Sequence, residues 1–264
     1  MDLKKICEGA IDIVIQAGAF IRNEKTKFTR DKIEAKGQHN FVTYVDKGAE
    51  KLLIGALHKI VPEAGFIAEE GTVKKENKVI NWIIDPLDGT TNYIHGAPPY
   101  AISVALMEGN DVLIGIVYEI AREELFYSYQ GAPAFLNASR IQVSHTDKVA
   151  ESLIATGFPY DNFGRMKSFM ETLNYFFRNS HGVRRLGSAA TDLAYVACGR
   201  YDAFYEYNLN SWDVAAGAFL VKQAGGNVSD FRGEQDYIFG SEIVASNNTL
   251  FNEFRQMVGE FMNQ

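Results

Sequence analysis

The feature that most limits how this chain can fold is the segment 82–92, in which an apolar run changes abruptly to acidic and small polar residues. The apolar residues 82–84 predict a buried strand that ends at Asp85. Pro86 has no backbone N–H and a fixed φ, so it interrupts the hydrogen bonding of a strand at that point. A second carboxylate, Asp88, follows three residues after Asp85. The sequence therefore places two carboxylates where a buried strand ends.

The residues that follow Asp88 are suited to holding an anion. Gly89, Thr90 and Thr91 combine a flexible backbone with amide and hydroxyl groups. Carboxylates, in contrast, are preferred ligands of hard cations. A cation site beside an anion site predicts metal-assisted phosphate chemistry. Other common catalytic patterns are absent from the sequence, which contains no G-x-x-x-x-G-K-[ST] loop, no G-x-S-x-G turn and no H-E-x-x-H helix.

Length and composition limit the remaining possibilities. With 264 residues, the chain is one large domain or two closely packed halves. A net charge of −7 argues against a nucleic-acid duplex or an anionic membrane as the main partner, since both require a basic surface. The sequence has no apolar run of membrane-spanning length and no signal-peptide pattern, so we expect a soluble, cytoplasmic protein. Its two cysteines, Cys7 and Cys198, fit small buried residues in a reducing compartment.

The first part of the chain predicts helices packed on a largely antiparallel sheet. Apolar residues recur at helical spacing over 3–21 and again after Asp46, which stands where a helix N-cap is expected. Short strands are predicted at 41–45, 65–70, 82–85, 101–108, 112–120 and 124–129, with extensions at 134–136 and 141–143. The polar segment 23–40 lacks periodicity and is either a mobile arm or a solvated connector.

The pattern changes near residue 145. From there on, strands alternate with helices, which predicts an α/β arrangement. Ser188 is expected to cap one of these helices, and Asp213 stands at the start of another. We therefore predict an N-terminal α+β half over residues 1–145, with the main metal site, and a C-terminal α/β half over residues 146–264.

Acidic residues fall at the ends of predicted elements instead of on solvated helix faces: Asp46, Glu69, Asp85, Asp88 and Asp213. Neighbouring strands would bring Glu69 and Asp85 together, and clustered carboxylates repel one another unless a cation joins them. Oxygen ligands favour Mg²⁺, Mn²⁺ or Ca²⁺ over zinc. Each residue also has an ordinary explanation. Asp46 and Asp213 could be plain helix caps, Asp85 and Asp88 could belong to turns, and Glu69 could be a solvated strand end.

These acidic segments resemble those of a known family. The segment 85–92, DPLDGTTN, is similar to the first signature of the inositol monophosphatase family, and 212–217, WDVAAG, is similar to the second. Glu69-Glu70 and the segment 186–190, LGSAA, fit the same pattern. The resemblance implies a layered αβαβα sandwich of the inositol monophosphatase / fructose-1,6-bisphosphatase type. Such proteins are usually dimeric and have a Mg²⁺-dependent, lithium-sensitive phosphatase site between two halves.

The resemblance also implies roles for individual residues. The ligands of a first metal would be Glu69, Asp85 and the carbonyl of Leu87. The ligands of a second metal would be Asp85, Asp88 and Asp213, and Glu69 would help to hold a weaker third; Mn²⁺ could substitute for Mg²⁺. Asp46 and Thr90 would orient and deprotonate the attacking water. Phosphate oxygens would be bound by the amides of Gly89 and Thr90. Hydroxyl groups of the substrate ring would contact the amide of Ala189 and the carboxylate of Glu206, with Asp88 nearby.

The implied reaction is hydrolysis of inositol monophosphate to inositol and phosphate by attack of a metal-activated water. NADP(H), fructose 1,6-bisphosphate and 3′-phosphoadenosine 5′-phosphate are alternative substrates of the same architecture. Glu206 favours a neutral polyol because it would repel a second phosphate, although a basic residue could counter it: Arg165, Lys167 or Arg184. A non-catalytic regulatory protein on the same fold is a further alternative. The intact set of acidic residues argues against it, since clustered acids have no purpose without a metal.

One position departs from the family pattern. Asn40 stands where the family commonly has an acid, which leaves open the behaviour of the segment 23–40 and of a third metal. The partners that we expect are a small phosphorylated substrate and a second copy of the chain in a homodimer.

Overall fold

A computed structural model of the chain describes residues 1–27, 33–37, 40–73, 78–160 and 162–263. Within these residues the chain forms seven α-helices: α1 (Leu3–Lys25), α2 (Tyr44–Ile60), α3 (Thr90–His95), α4 (Met166–Asn179), α5 (Ala189–Ala197), α6 (Ser211–Gln223) and α7 (Phe251–Met262). None of the helices in this described part has the length and apolar character that are needed to cross a membrane.

The larger of the two main sheets has seven strands. They are β3 (Gly65–Ala68), β4 (Ile80–Asp88), β5 (Ala101–Glu108), β6 (Asp111–Glu119), β7 (Glu124–Tyr129), β8 (Phe135–Leu136) and β9 (Ser139–Arg140), in that order across the sheet. β3 and β4 are parallel, and every other neighbouring pair is antiparallel. This confirms the predicted, largely antiparallel meander.

The second main sheet has five strands and is mixed. They are β10 (Leu153–Thr156), β11 (Gly182–Arg184), β12 (Ala203–Tyr207), β13 (Gly226–Ser229) and β14 (Glu242–Asn247), in the spatial order β11-β10-β12-β14-β13. β10 is parallel to both of its neighbours, whereas β14 is antiparallel to β12 and β13. A separate antiparallel pair consists of β1 (Ile33–Gly37) and β2 (Asn40–Thr43).

Helices and sheets stack in five layers. α1 and α2 cover one face of the seven-stranded sheet, where Leu53 and Trp82 are completely buried. α5 and α6 lie between the two sheets and contribute Leu193 and Ala216 to a shared core. α4 and α7 cover the outer face of the five-stranded sheet, where Phe176 is buried. The predicted αβαβα sandwich is confirmed.

The division into halves at residues 145 and 146 stays a prediction. Buried side chains from both sides of that point share the core between the sheets, for example Ile83 and Ala105 before it and Leu193 and Ala216 after it. α6 in particular packs against β4, β5 and β6. The C-terminal segments therefore reach the strand that carries Asp85.

The strand that carries the acidic segment is longer than the sequence predicts. β4 runs through Asp85 as far as Asp88. Opposite it in β5, Asp85 faces Ser103 and Asp88 faces Ala101, so β4 contains one extra residue. Such a bulge accommodates Pro86, which has no N–H to give to the sheet. The two carboxylates thus flank a bulge within a strand instead of following a strand end.

Two helices begin earlier than predicted. Asp46 is the third residue of α2, because Thr43 is the N-cap and its hydroxyl accepts the N–H of Val45. Asp213 is likewise the third residue of α6, which has Asn210 as its N-cap. Each carboxylate accepts the N–H of its N-cap residue, over 2.8 Å in α2 and 2.6 Å in α6. These capping boxes fix the direction of both side chains.

The remaining differences are small. The predicted strand 41–45 ends at Thr43, and the predicted strand 141–143 is replaced by β9 at Ser139–Arg140. α1 continues to Lys25, and β1 lies within the segment 23–40, where it pairs with β2, which begins at Asn40. Residues 28–32, 38 and 39 of that segment lie outside the described residues.

Candidate active site

Three of the predicted acidic residues lie together. Asp85 and Asp88 come from the bulge in β4, and Asp213 comes from the first turn of α6. Each offers one carboxylate oxygen, and these oxygens lie within 4.8 Å of one another. They line one cavity, whose walls come from β4, the start of α5, β12 and the start of α6. Glu69 and Leu87 line the same cavity.

Glu69 reaches this cluster because β3 and β4 are parallel neighbours. The N–H of Glu69 donates to the carbonyl of Ile84 over 3.2 Å, which continues the pairing of the two strands. Glu69 therefore stands beside Asp85, as the sequence predicts.

Asp213 is brought to the cluster by a contact between β5 and α6. Ser103, which faces Asp85 across the sheet, donates its hydroxyl to the carbonyl of Trp212 over 2.9 Å. This buried hydrogen bond holds the first turn of α6 against the strand beside β4. The next residue, Asp213, is thereby placed close to Asp85.

The cluster is electrostatically unfavourable without a positive charge. Burial raises the pKa of Asp85 well above its ordinary value, and the charges of Glu69, Asp88 and Asp213 raise it further. Burial also raises the pKa of Asp88 to about 6 and that of Asp213 to about 7. A divalent cation would relieve this repulsion, and carboxylate and carbonyl oxygens are the ligands that Mg²⁺ and Mn²⁺ prefer. The donor set fits such an ion.

Asp46 and Thr90 form a hydrogen-bonded pair beside the cluster. The Thr90 hydroxyl lies 3.0 Å from Asp46 Oδ1 and 3.1 Å from the carbonyl oxygen of Leu87, and it can donate to one of them at a time. The other oxygen of Asp46 accepts the N–H and the hydroxyl of Thr43. Burial raises the pKa of Asp46, whereas the hydrogen bonds from Thr43 and Thr90 oppose this. When Thr90 donates to Asp46, its lone pairs can accept a proton from water.

Gly89 forms the turn between β4 and α3 under two separate constraints. Its φ is 90°, in the left-handed region that favours glycine. A Cβ at this position would also lie 3.1 Å from the carbonyl oxygen of Gly187 and 3.2 Å from that of Pro99. Gly89 and Thr90 both line the cavity, beside the carboxylates. Their predicted role in phosphate binding stays a prediction.

The start of α5 holds Asp88 from the opposite side. Ser188, the N-cap, donates its hydroxyl to Asp88 Oδ2 over 2.7 Å, and the N–H of Ala190 donates to the same oxygen over 2.8 Å. Ala189, between them, lines the cavity, as does Glu206 in β12. Of the ten predicted site residues, nine line this one cavity, and Asp46 is connected to it through Thr90.

Glu206 is buried in the cavity wall against the backbone of Gly157. Its side chain is only 6% exposed, and a methyl group on Gly157 would overlap its carboxylate. Burial raises the pKa of Glu206 well above its ordinary value, with further increases from Asp213 and Asp88, while Arg185 acts in the opposite direction. Glycine at position 157 thus makes room for this carboxylate.

The sequence reasoning missed Glu50. This glutamate is completely buried in α2, where its carboxylate accepts the N–H of Glu70 over 2.7 Å and both the N–H and the hydroxyl of Thr72. It therefore anchors the segment that directly follows Glu69. The signal was available, because Glu50 is four residues after Asp46 and on the same helix face, among apolar residues.

The sequence reasoning also missed Tyr160 and Arg185, which line the cavity. The basic residues that were considered for a second phosphate are not among its described lining residues: Arg165, Lys167 and Arg184. Arg165 is paired with Glu242 over 2.5 Å instead. Nothing in the sequence distinguishes Arg184 from Arg185, because only the local backbone decides which of two adjacent side chains faces the cavity.

Comparisons with known proteins find relatives over most of the chain. A sequence model of the inositol monophosphatase family matches residues 2–259. An inositol-1-monophosphatase from Mesorhizobium japonicum is 38% identical over 241 residues, which cover 91% of each protein. The Nus factor SuhB of Escherichia coli K12 is 41% identical over 222 residues, which cover 83% of each protein.

Solved structures of inositol monophosphatase and SuhB proteins have the same fold as this chain. The inositol monophosphatase from Anabaena superposes with a TM-score of 0.87 at 31% identity, over 99% of this chain and 98% of that one. The extragenic suppressor protein SuhB from Bartonella henselae gives 0.89 at 34% identity, over 94% and 96%. The predicted family and fold are confirmed. This chain belongs to the inositol monophosphatase family of metal-dependent phosphatases.

Proposed function

We propose that this protein is a Mg²⁺-dependent phosphomonoesterase that hydrolyses inositol monophosphate to inositol and inorganic phosphate. The observation that carries the proposal is that Asp85, Asp88 and Asp213 converge in one cavity beside the Asp46–Thr90 pair. The family and the relatives named inositol-1-monophosphatase support this substrate class.

In this proposal Glu69, Asp85 and the Leu87 carbonyl would hold one ion, and Asp85, Asp88 and Asp213 would hold a second. Glu69 would help to hold a weaker third ion. When bound, Mg²⁺, or Mn²⁺ in its place, supplies the positive charge that offsets these carboxylates and the phosphate dianion and that activates water. The bulge in β4 fixes Asp85 and Asp88. The capping box of α6 and the hydrogen bond from Ser103 to the Trp212 carbonyl fix Asp213.

Thr90 and Asp46 act on the attacking water. Thr90 donates a hydrogen bond to Asp46 Oδ1 and accepts one from the attacking water. This hydrogen bond would align the water oxygen with phosphorus for in-line attack. As the new P–O bond forms, the bond from phosphorus to the ester oxygen breaks, the water proton passes to Thr90 Oγ1 and the Thr90 proton passes to Asp46. The leaving alkoxide takes a proton from solvent water and departs as the alcohol. The amides of Gly89 and Thr90 bind the phosphate oxygens. No covalent enzyme intermediate is required.

The leaving alcohol is received by the second half of the chain. The amide of Ala189 and the carboxylate of Glu206 would bind ring hydroxyl groups, with Asp88 nearby. Glu206 would repel a second phosphate on the alcohol, which favours a neutral polyol. NADP(H), fructose 1,6-bisphosphate and 3′-phosphoadenosine 5′-phosphate carry further phosphate groups, and they are the alternative substrates against which this preference is tested.

A non-catalytic regulatory role is the second candidate. A relative with 41% identity is named Nus factor SuhB, which favours this role. The buried, mutually repelling carboxylates argue against it, because a chain that needs no metal gains nothing from their cost. A homodimer, a cytoplasmic location and inhibition by Li⁺ complete the proposal.

The test is release of phosphate from a panel of inositol phosphates and the three alternative substrates, with and without Mg²⁺ and Li⁺. We expect Mg²⁺-dependent release, greatest kcat/KM for an inositol monophosphate, and a loss of about 10³-fold or more in kcat in Asp88→Asn and Asp213→Asn. Better turnover of an alternative substrate would replace inositol monophosphate. No Mg²⁺-dependent release from any of them by the folded protein would favour the regulatory role.

A further inference from the structure

One guanidinium group lines the catalytic cavity without a part in the reaction described above. Arg185 directly follows β11 and is exposed at the mouth of the cavity. Among the described residues that line the cavity it is the only basic one, whereas the acidic ones number five: Glu69, Asp85, Asp88, Glu206 and Asp213. A lone cation at the mouth of an acidic cavity is a candidate contact for substrate.

Arg185 is held by aromatic rings and not by an ion pair. Its Cζ lies 5.1 Å from the ring centroid of Phe158 and 6.0 Å from that of Tyr160. Its Nη2 donates to the Tyr160 hydroxyl over 3.3 Å. Among the described residues no carboxylate lies within ion-pair distance of it. Since a guanidinium has five N–H donors, most of them remain for a ligand while the rings fix its plane.

The location of Arg185 is on the side of the leaving alcohol. A Cβ on Gly187 would lie 2.7 Å from Arg185 Nη1, and the carbonyl of Gly187 in turn lies against Gly89. The guanidinium is therefore separated from the phosphate-binding turn by one backbone segment. Ala189 and Glu206, the residues assigned to the alcohol, line the same cavity as Arg185.

Arg185 and Glu206 together distinguish uncharged alcohols from alcohols that carry a second phosphate. The carboxylate oxygens of Glu206 accept hydrogen bonds, whereas the guanidinium of Arg185 is positive and donates them. An uncharged polyol can use both groups, because each of its hydroxyls donates and accepts. A second phosphate would gain from Arg185 but would lose a comparable amount to Glu206. The pair thus favours alcohols that carry several hydroxyl groups and no charge.

We propose that Arg185, held by Phe158 and Tyr160, is a specificity residue that donates to a hydroxyl oxygen of the leaving alcohol and, with Glu206, selects uncharged polyhydroxylated alcohols. This inference rests on the proposed function for one point, that the alcohol bound by Arg185 is the leaving group of the reaction; the contact with a polyol can be tested without turnover. Tyr160 acts through Arg185 and is a positioning residue.

The experiment compares two substrates with the same phosphate and different alcohols, inositol 1-phosphate and cyclohexyl phosphate, which has no ring hydroxyls. In Arg185→Gln we expect KM for inositol 1-phosphate to rise about tenfold, as for the loss of one charge-assisted hydrogen bond, with kcat nearly unchanged. For cyclohexyl phosphate, kcat/KM should change less than about threefold. The matched control is Arg184→Gln, because within the described part of the chain Arg184 donates to the carbonyl of its neighbour Val183 and does not line the cavity, so it should affect neither substrate. Tyr160→Phe should show a smaller effect of the same kind.

Three results would overturn the assignment. Equal losses for both substrates would place Arg185 on the phosphate. A larger loss for fructose 1,6-bisphosphate than for inositol 1-phosphate would assign it to a second anion. No change with either substrate would leave it without a role in specificity.

A binding measurement separates this inference from the proposed function. Calorimetric titration of inositol into the protein with Mg²⁺ and inorganic phosphate reports the alcohol contact without turnover. If the wild type releases no phosphate, the proposed function fails, yet a tenfold weaker affinity for inositol in Arg185→Gln still supports the inference. Equal affinity in both proteins, or no binding to either, overturns it.

Discussion

The packing of Gly157 against Glu206 makes a glycine-to-alanine change the sharpest probe of the alcohol side of the site. A Cβ on Gly157 would overlap the Glu206 carboxylate, and ordinary contact begins at about 3.4 Å, so the carboxylate must move by about 1.4 Å. A misplacement of about 1 Å can cost up to about 10²-fold in catalysis. We expect Gly157→Ala to raise KM for inositol 1-phosphate by about tenfold or more. Mg²⁺ affinity should hardly change, because the carboxylates that bind metal in our proposal are not displaced.

Steady-state kinetics and calorimetric Mg²⁺ titration measure these two effects. Gly55→Ala in α2 is the matched control, because nothing lies within 4 Å of its added methyl group. Alanine also favours a helix by about 1 kcal/mol over glycine, so this control should be slightly more stable and fully active. A double-mutant cycle adds the decisive comparison. In a Glu206→Ala background the methyl group has room, so Gly157→Ala should then raise KM no further.

Two outcomes would refute this reasoning. If Gly157→Ala raised KM equally with and without the Glu206 side chain, the methyl group would be acting on another part of the site. If a folded Gly157→Ala protein kept the wild-type KM, Glu206 would not contact the alcohol.

Three further predictions test the other parts of the site. Thr90→Ala should lower kcat by about 10²-fold or more while inhibition by inorganic phosphate changes little; an effect on KM alone would make Thr90 only a binding group. The raised pKa of Asp213, about 7 against an ordinary 3.8, means that the metal-free folded state loses stability as pH rises through about 7. Thermal unfolding in chelator should therefore show Asp213→Asn more stable than wild type at about pH 8, by at most about 4 kcal/mol, and not at about pH 4. The exposed control Asp147→Asn should unfold at the same temperature as wild type. Glu50→Gln should weaken calorimetric Mg²⁺ binding and destabilise the fold by about 2 kcal/mol, because it loses an acceptor for three donors next to Glu69; unchanged binding would show that Glu69 needs no such anchor.

Much of the fold could be predicted because its signals are local. Apolar spacing over residues 3–21 predicts α1, and short polar turns between apolar runs predict the meander of β5, β6 and β7. The acids of the site were recognisable because they adjoin apolar runs in the sequence. Their convergence was harder to predict, since it depends on the parallel pairing of β3 with β4 and on a hydrogen bond from Ser103 to Trp212.

What could not be predicted depends on choices between nearly equivalent residues. Thr43 and Asp46 are both good N-cap residues, and only the observed backbone shows that α2 starts after Thr43. Proline usually ends a strand, yet a bulge lets β4 continue past Pro86. Arg184 and Arg185 are identical side chains whose directions are set by the end of β11. In each case local preferences allow two outcomes, and the tertiary contacts select one of them.

The two capping boxes couple the geometry of the site to the opening of two helix ends. Asp46 and Asp213 each accept the N–H that would otherwise open first when α2 or α6 frays, so the same carboxylates close a helix end and face the site. Local opening of either first turn would withdraw a carboxylate without unfolding the domain. Hydrogen exchange at the amides of Thr43 and Asn210 should therefore follow the fraction of competent sites, and a bound cation should slow exchange most at Asn210. Ligand affinity in this protein is then set in part by how tightly two helix ends stay closed.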